Sequence, residues 1–333
     1  MKKDENLQTA YNALRHWKLG IGNVQFISLC ENITYRVEST KGEAFVLRLH
    51  RPGYHNLQRL KSELCWADAL CTVGINAPIA IPTREGNLHA LINSEEEHYA
   101  SLLKWVEGPT LGHTMEERND AQYSKESYEQ LGEIMASLHL HASSWRIPGG
   151  FDRHAFDSEG FAGSSPVWGR FWEYHYLTNE EEKIFSSIRD QIRLILNNIP
   201  KRPDNYSLIH SDIHPYNVIV SGSKLHLIDF DDSGFGWHQY DFAFTSRGGK
   251  PALLEPLLRG YRRIRDLSDD QMEYIPFLVF VRELAELGWV SDRPEHDDDV
   301  RPEKQIAQII ESSEEILNTY TSKIDEEVSF YNP

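Results

Sequence analysis

Residues 208–220 read LIHSDIHPYNVIV, and after a short turn residues 225–243 read LHLIDFDDSGFGWHQYDFA. The first stretch begins as an apolar strand end and delivers His210, Ser211 and Asp212 into a polar loop. Asn217 follows Asp212 by five residues and opens a new apolar run, 218–220. Ser221-Gly222-Ser223 is turn chemistry, so 225–228 is expected to return as the antiparallel partner and to release Asp229 at its end. Such a hairpin brings Asn217 and Asp229 to one edge, beside the loop that carries Asp212.

Those residue types suit one kind of chemistry. Phosphoryl transfer asks for a hydroxyl held in line and for charge on the phosphates to be neutralised, with little covalent help from the protein. A carboxylate at Asp212 can accept the hydroxyl proton. Hard oxygen donors at Asn217 and Asp229 suit Mg2+, which takes few protein ligands and keeps several waters. The pattern resembles the kinase signature H-x-D, then Asn, then D-F-x. More closely, residues 210–241 resemble the aminoglycoside phosphotransferase superfamily, which includes choline, ethanolamine, homoserine and hydroxylysine kinases. RELAELGW, residues 282–289, resembles a helix of that family and is far less specific.

The resemblance implies a bilobal, protein-kinase-like α+β fold, with ATP and Mg2+ as cofactors. The lobes are expected to be 1–103, a small antiparallel sheet with one helix that binds nucleotide, and 104–333, mainly helical, catalytic and acceptor-binding. It also organises the first lobe. FVLRLHRP places Arg48 where protein kinases carry a strand-borne lysine, and a guanidinium can grip phosphate oxygens as a planar fork. Glu63, on the next helix, is its expected ion-pair partner. SLCENITYRV stands in place of the glycine-rich phosphate loop, with Glu31 and Asn32 at its tip and no glycine fingerprint. Asn32, and Val106 in the segment joining the lobes, complete the nucleotide-binding candidates. Gly20-Ile21-Gly22 precedes the expected first strand, and a lone GxG is weak. The resemblance places His210 behind the catalytic loop, with Asp241 supporting it. Asp231 stands where protein kinases carry glycine, within reach of a metal-bound water.

The rest of the chain agrees with that layout. Residues 5–17 have helical composition. Strands are expected at 24–29, 33–38 and 44–49, a helix at 57–71, and a hairpin at 88–92 and 98–103. Apolar spacing then predicts helices over 124–143, 178–197 and 268–289. Trp168, Phe171, Trp172 and Tyr174 either cage a cationic acceptor or pack in the core. The acidic run EHDDD, residues 295–299, reads as a solvated loop. His139 and His141, two apart on a helix, do not share a face and read as structural.

At 333 residues, 40% of them hydrophobic, the chain can bury a large core in two lobes. The formal charge of −17 argues against nucleic acid and favours a cationic or zwitterionic acceptor. Cys30, Cys65 and Cys71 form no pair framework or zinc spacing, which fits a reduced, cytoplasmic setting. The N-terminal residues carry no apolar signal segment, and no apolar run approaches the ~18 residues of a membrane span. The expected function is therefore ATP-dependent transfer of the γ-phosphate to a hydroxyl of a small molecule: an amino alcohol, a hydroxy amino acid or an aminoglycoside-like acceptor. A Ser/Thr protein kinase is the first alternative. Ser211 replaces the arginine that pairs with a phosphorylated activation loop, and only twelve positions separate Asp229 from Asp241. A non-catalytic nucleotide-binding regulator is the second, against which Asp212, Asn217 and Asp229 are all present.

Overall fold

The computed structural model describes residues 2–93, 95, 97–245, 251–293 and 302–331. It forms two compact units, one of Met1–Asp120, Arg146–Arg153 and Pro215–Asp232, the other of Ala121–Trp145, His154–His214 and Ser233–Pro333. The acidic run 295–299 lies outside the described residues.

In the first unit, helix α1 (Lys2–Leu14) precedes strands β1 (Ile21–Leu29), β2 (Asn32–Ser39) and β3 (Ala44–His50), helix α2 (Leu57–Thr72), strands β4 (His89–Asn93) and β5 (His98–Lys104), and helix α3 (Leu111–Arg118). The sheet order is β1-β2-β3-β5-β4, with every neighbouring pair antiparallel. Strand periodicity divides the side chains of β3 between its two faces. Leu47 and Leu49 join Tyr35, Val37, Leu102 and the α1 residues Ala10, Ala13 and Leu14 in one core. Arg48 points to the other face. Burying each large apolar side chain is worth about 1.5–3 kcal/mol, so this core holds α1 on the sheet. Asn56 caps α2 by accepting the Arg59 N–H at 2.9 Å, and the buried side of α2 carries Leu60, Glu63, Leu64, Trp66 and Leu70.

The hairpin read from the sequence also belongs to this unit. Strand β6 (Ala155–Phe156) and strand β7 (Tyr206–Ile209) precede it in the chain, and it consists of β8 (Val218–Ser221) and β9 (Lys224–Leu227). Val220 N–H donates to the Pro109 carbonyl at 2.9 Å and Leu227 N–H to that of Asn76 at 3.0 Å. Gly108 makes the first contact possible: at φ 138°, a Cβ there would sit 2.0 Å from the Val220 carbonyl oxygen.

The second unit is mainly helical: α4 (Ala121–Ser144), α5 (Ser158–Ala162), α6 (Asn179–Asn198), α7 (Gln239–Thr245), α8 (Leu254–Ile264), α9 (Asp269–Glu273), α10 (Ile275–Ser291) and α11 (Pro302–Tyr331). A small sheet of order β6-β10-β7, with β10 at Gly234–Trp237, lies among them. Trp168, Phe171, Trp172 and Tyr174 are all buried in this unit's core. Arginines of the protein itself take two of those faces, Arg282 over Trp168 at 4.2 Å and Arg189 over Trp172 at 4.8 Å.

Two expectations are corrected. The helix expected over 268–289 is two helices, α9 and α10, meeting at Tyr274. Pro276 has no N–H and crowds the preceding turn, so the helix restarts with proline in its first turn. Ile21 and Gly22 lie inside β1 rather than before it, because β1 pairs with β2 from Ile21 opposite Ser39. Among the described residues, no helix is long and apolar enough to cross a membrane.

Candidate active site

In the first unit the site is built around Arg48. Its Nη1 donates to Glu63 Oε1 at 2.6 Å and its Nη2 to Asp231 Oδ1 at 2.8 Å, with Asp229 Oδ1 3.8 Å away. Arg48 is 5% exposed and Glu63 1%, so neither is a surface charge. Burial opposes the guanidinium's charge, but Glu63, Asp231 and Asp229 raise its pKa above the ordinary value. Asp231 gives one oxygen to Arg48 and accepts from the Asn32 amide at the other, at 3.3 Å. Its carbonyl accepts from Arg153 and from His55, whose Nε2 is 2.8 Å away. Burial, then the charge of Arg153, lowers the His55 pKa to about 3, so its ring is neutral and donates.

Asp229 ends the return strand in a left-handed conformation, φ 63°, which short polar side chains tolerate best. The β8–β9 ladder pairs Val218 with Leu227, and Ile228 N–H donates to the Asn217 carbonyl at 3.0 Å. Asn217 and Asp229 thus stand at one end of the hairpin. The Asp229 side chain is 51% exposed. An amide oxygen and an open carboxylate form a hard donor pair that fits a divalent cation retaining water. The surrounding charges agree: Arg48 and Arg153 are two cations among Glu63, Asp229, Asp231 and Asp232. Among the described residues, no three His, Cys, Asp or Glu side chains converge in a metal cage. Val106 is half-buried in the irregular segment after β5.

In the second unit the site is the loop after β7. Ser211 is left-handed, φ 68°, and turns Asp212 out of the strand line. Arg282 of α10 reaches that loop, its Nη1 donating to the Ser211 carbonyl at 3.1 Å and its Nη2 to Asp212 Oδ1 at 3.1 Å. His214 Nε2 lies 3.6 Å from Asp212 Oδ2. Burial alone would raise the Asp212 pKa. The nearby His214 imidazole and the charges of Arg282 and His210 outweigh it and hold the carboxyl well below the usual range.

Behind the loop, Asp241 accepts the main-chain N–H of Ser211 at 2.6 Å and of His210 at 3.2 Å. His139 Nε2 meets it at 2.8 Å, and His139 Nδ1 meets the Tyr261 hydroxyl at 3.0 Å. His139 is thus a frame residue of the catalytic loop. Asp212 N–H in turn donates to His210 Nδ1 at 3.3 Å.

Sequence reasoning missed Arg282. It lies seventy residues from Asp212, and the signal that could have found it is an arginine inside the apolar run FLVFVRELAELGW, residues 277–289. A charge on a helical face otherwise made of Leu278, Val281 and Ala285 needs a buried partner.

A model of the phosphotransferase enzyme family matches residues 24–273. Among known proteins, amicoumacin kinase of Bacillus subtilis (strain 168) is 23% identical over 280 residues, covering 80% of this chain and 79% of that one. Homoserine kinase of Sinorhizobium medicae is 24% identical over 261 residues, covering 75% and 72%. Among solved structures, a microcompartment-associated aminopropanol kinase is 27% identical with a TM-score of 0.76, covering 96% of this chain and 98% of that one. An amicoumacin kinase bound to AMP-PNP and Ca2+ shares the fold at a TM-score of 0.77 and 16% identity, with 96% of each chain covered. Neither a protein kinase nor a non-catalytic regulator is favoured by these likenesses. With most of its length under one family model, the chain belongs to the phosphotransferase enzyme family and is an ATP-dependent enzyme that phosphorylates a hydroxyl of a small molecule.

Proposed function

We propose that this enzyme uses Mg2+-ATP to phosphorylate a small alcohol that also carries an amine, with an amino alcohol such as 1-amino-2-propanol first in line and homoserine next. The likeness to an aminopropanol kinase over nearly the whole of both chains supports the acceptor class, and so does a formal charge of −17. Asp212 is the base. It takes the proton as the acceptor oxygen attacks the γ-phosphorus and the bond to the leaving ADP oxygen breaks. The observation that carries this role is the fork of Arg282 on the Ser211 carbonyl and the Asp212 carboxylate, which fixes the direction of an ionised carboxylate at the turn after β7.

Asn217 and Asp229 are the metal ligands in this reading, and Mg2+ supplies charge neutralisation on the phosphates when bound. Arg48, fixed by Glu63 and Asp231, grips phosphate, and Asn32 and Val106 border the nucleotide. Cys30, Cys65 and Cys71, none of them in a disulfide, suit a reducing cytoplasm.

The test is acceptor-dependent ADP release with Mg2+-ATP over a panel of 1-amino-2-propanol, ethanolamine, choline, homoserine and spectinomycin. An amino alcohol should give the highest kcat/KM. Turnover of spectinomycin alone would move the acceptor to the antibiotic class. Asp212→Asn should lower kcat by about 10²–10⁴, with ATP binding and thermal stability nearly unchanged. A drop below about tenfold would remove Asp212 from the base role.

A further inference from the structure

We infer that Arg282 is a positioning residue for the catalytic base: its guanidinium holds the Ser211 carbonyl and the Asp212 carboxylate in one fork, fixing where the carboxylate points and that it stays charged. This rests on the reading of Asp212 as base.

The geometry is specific. One nitrogen of the fork binds the main chain at a left-handed residue, and the other binds the side chain of the residue that follows. The guanidinium is itself immobilised on three other sides. Its plane lies over Trp168 at 4.2 Å, its Nε donates to Glu286 at 3.3 Å, and its Nη1 also approaches the Tyr240 hydroxyl at 3.5 Å. An arginine held this way cannot follow Asp212 if the loop moves, so it sets the position of the loop rather than adapting to it. In protein kinases the arginine of the catalytic loop stands next to the aspartate in sequence. Here that position is Ser211, buried, and the cation arrives from α10.

The charged and titratable groups facing Asp212 within its unit are Arg282 from α10, His214 and His210 from its own loop, and Asp241 from α7. Arg282 and the two histidines favour the carboxylate, and Asp241 is the like charge behind the loop. Removing Arg282 removes the guanidinium from this set. The Asp212 carboxylate then protonates at higher pH, and activity is lost sooner on acidification.

The experiment uses the full chain with Mg2+-ATP and 1-amino-2-propanol, or homoserine where that is the alcohol turned over. Wild type, Arg282→Gln, Arg282→Lys, Asp212→Asn and the double variant Asp212→Asn/Arg282→Gln are compared for kcat, for KM of ATP and for the acid limb of kcat against pH. Arg282→Gln should lower kcat by about 10- to 100-fold through misplacement of the carboxylate, leave the ATP KM within about twofold, and move the acid limb upward by about one pH unit or more. Arg282→Lys keeps the charge without the fork, so its acid limb should return most of the way to wild type while kcat stays reduced. In the Asp212→Asn background the second substitution should cost almost nothing further in kcat.

A wild-type kcat and an unmoved acid limb in Arg282→Gln would overturn the inference. So would full additivity in the double variant, which would mean that Arg282 acts on kcat independently of Asp212. If Arg282→Gln does not fold, an acid limb in Arg282→Lys displaced as far as about one pH unit would also count against it. Near wild-type activity in Asp212→Asn is a separate result, and it would sink the base assignment itself.

Discussion

Each unit carries a candidate site organised around a buried arginine, and the two arginines hold their carboxylates differently. In the first unit Arg48 faces three carboxylates, Glu63, Asp229 and Asp231. In the second, Arg282 faces two carboxylates, Asp212 and Glu286, with the His214 imidazole beside Asp212. The first arrangement is short of positive charge and fits a divalent cation. The second holds one carboxylate and the carbonyl before it in a guanidinium fork, and fits a proposed base whose direction is fixed. Each half also has one left-handed residue, Asp229 at φ 63° and Ser211 at φ 68°. In the first that residue is itself the proposed metal ligand, and in the second it only aims the next one. Backbone strain of about 1–3 kcal/mol persists where surrounding contacts over-determine it, and both residues sit in such networks.

The comparison breaks hardest at Asp229. Asp229→Asn keeps the short polar side chain suited to a left-handed backbone but removes the charge. Metal-dependent turnover should become undetectable, with thermal stability close to wild type. Asp229→Ala should lose turnover equally and also lose about 1 kcal/mol of stability, because alanine at positive φ is strained. Activity near wild type in Asp229→Asn across a Mg2+ titration would take the metal out of this half.

Arg48 tests whether the first half is held by its cation. Deleting one partner of a buried ion pair leaves the other charge uncompensated, at about 3–5 kcal/mol. Arg48→Ala strands both Glu63 and Asp231, so its urea midpoint should fall by that order. Arg48→Lys should fold and show a raised KM for ATP, since a point charge replaces the fork. A stable Arg48→Ala would mean that Glu63 and Asp231 are satisfied without it.

What the sequence disclosed follows from range. HSDIHPYN and IDFDD each carry their chemistry within a few residues, so spacing and turn residues placed Asp212, Asn217 and Asp229 on one loop and one hairpin. Arg48 and Glu63 were also legible, because the family resemblance sets a strand cation beside a carboxylate of the next helix. Arg282 and His139 were not, since each meets the loop only through tertiary packing. Asp231 was visible, but its bonds to Asn32 of β2 and Arg48 of β3 were not, because they form through tertiary packing. Short strands such as β6, two residues long, carry too little periodicity to be read at all.

Asp241 offers a pH-dependent contrast with Asp212. Burial raises its pKa to about 6, against the pull of His210 and two N–H donors, while Asp212 is shifted the other way. A carboxyl raised above its ordinary value near 3.9 contributes stability in full below that value and loses it as pH rises through about 6. Asp241→Asn cannot titrate. The stability of wild type relative to this variant should therefore shrink by on the order of 3 kcal/mol between pH 4 and 7. A constant difference would mean that Asp241 is charged throughout.

The smallest effect is expected at Ser211, and it separates strain from rigidity. Glycine accepts φ 68° without the Cβ penalty, which for other residues is about 1–2 kcal/mol. It also gives the unfolded chain more freedom, at about 0.4–1 kcal/mol, so the two terms nearly cancel. Ser211→Gly should therefore change stability by less than about 1 kcal/mol. The loop it leaves is less constrained, and Asp212 depends on that constraint for its direction, so kcat should fall severalfold even though nothing that touches substrate was altered. Ser211→Ala keeps the strained backbone and its stiffness, and its kcat should stay closer to wild type than that of the glycine variant. The measurement is kcat beside the urea midpoint for both variants. If the glycine variant kept full activity at unchanged stability, Arg282 and Asp241 would suffice to aim Asp212, and the left-handed turn would have no part in holding the base.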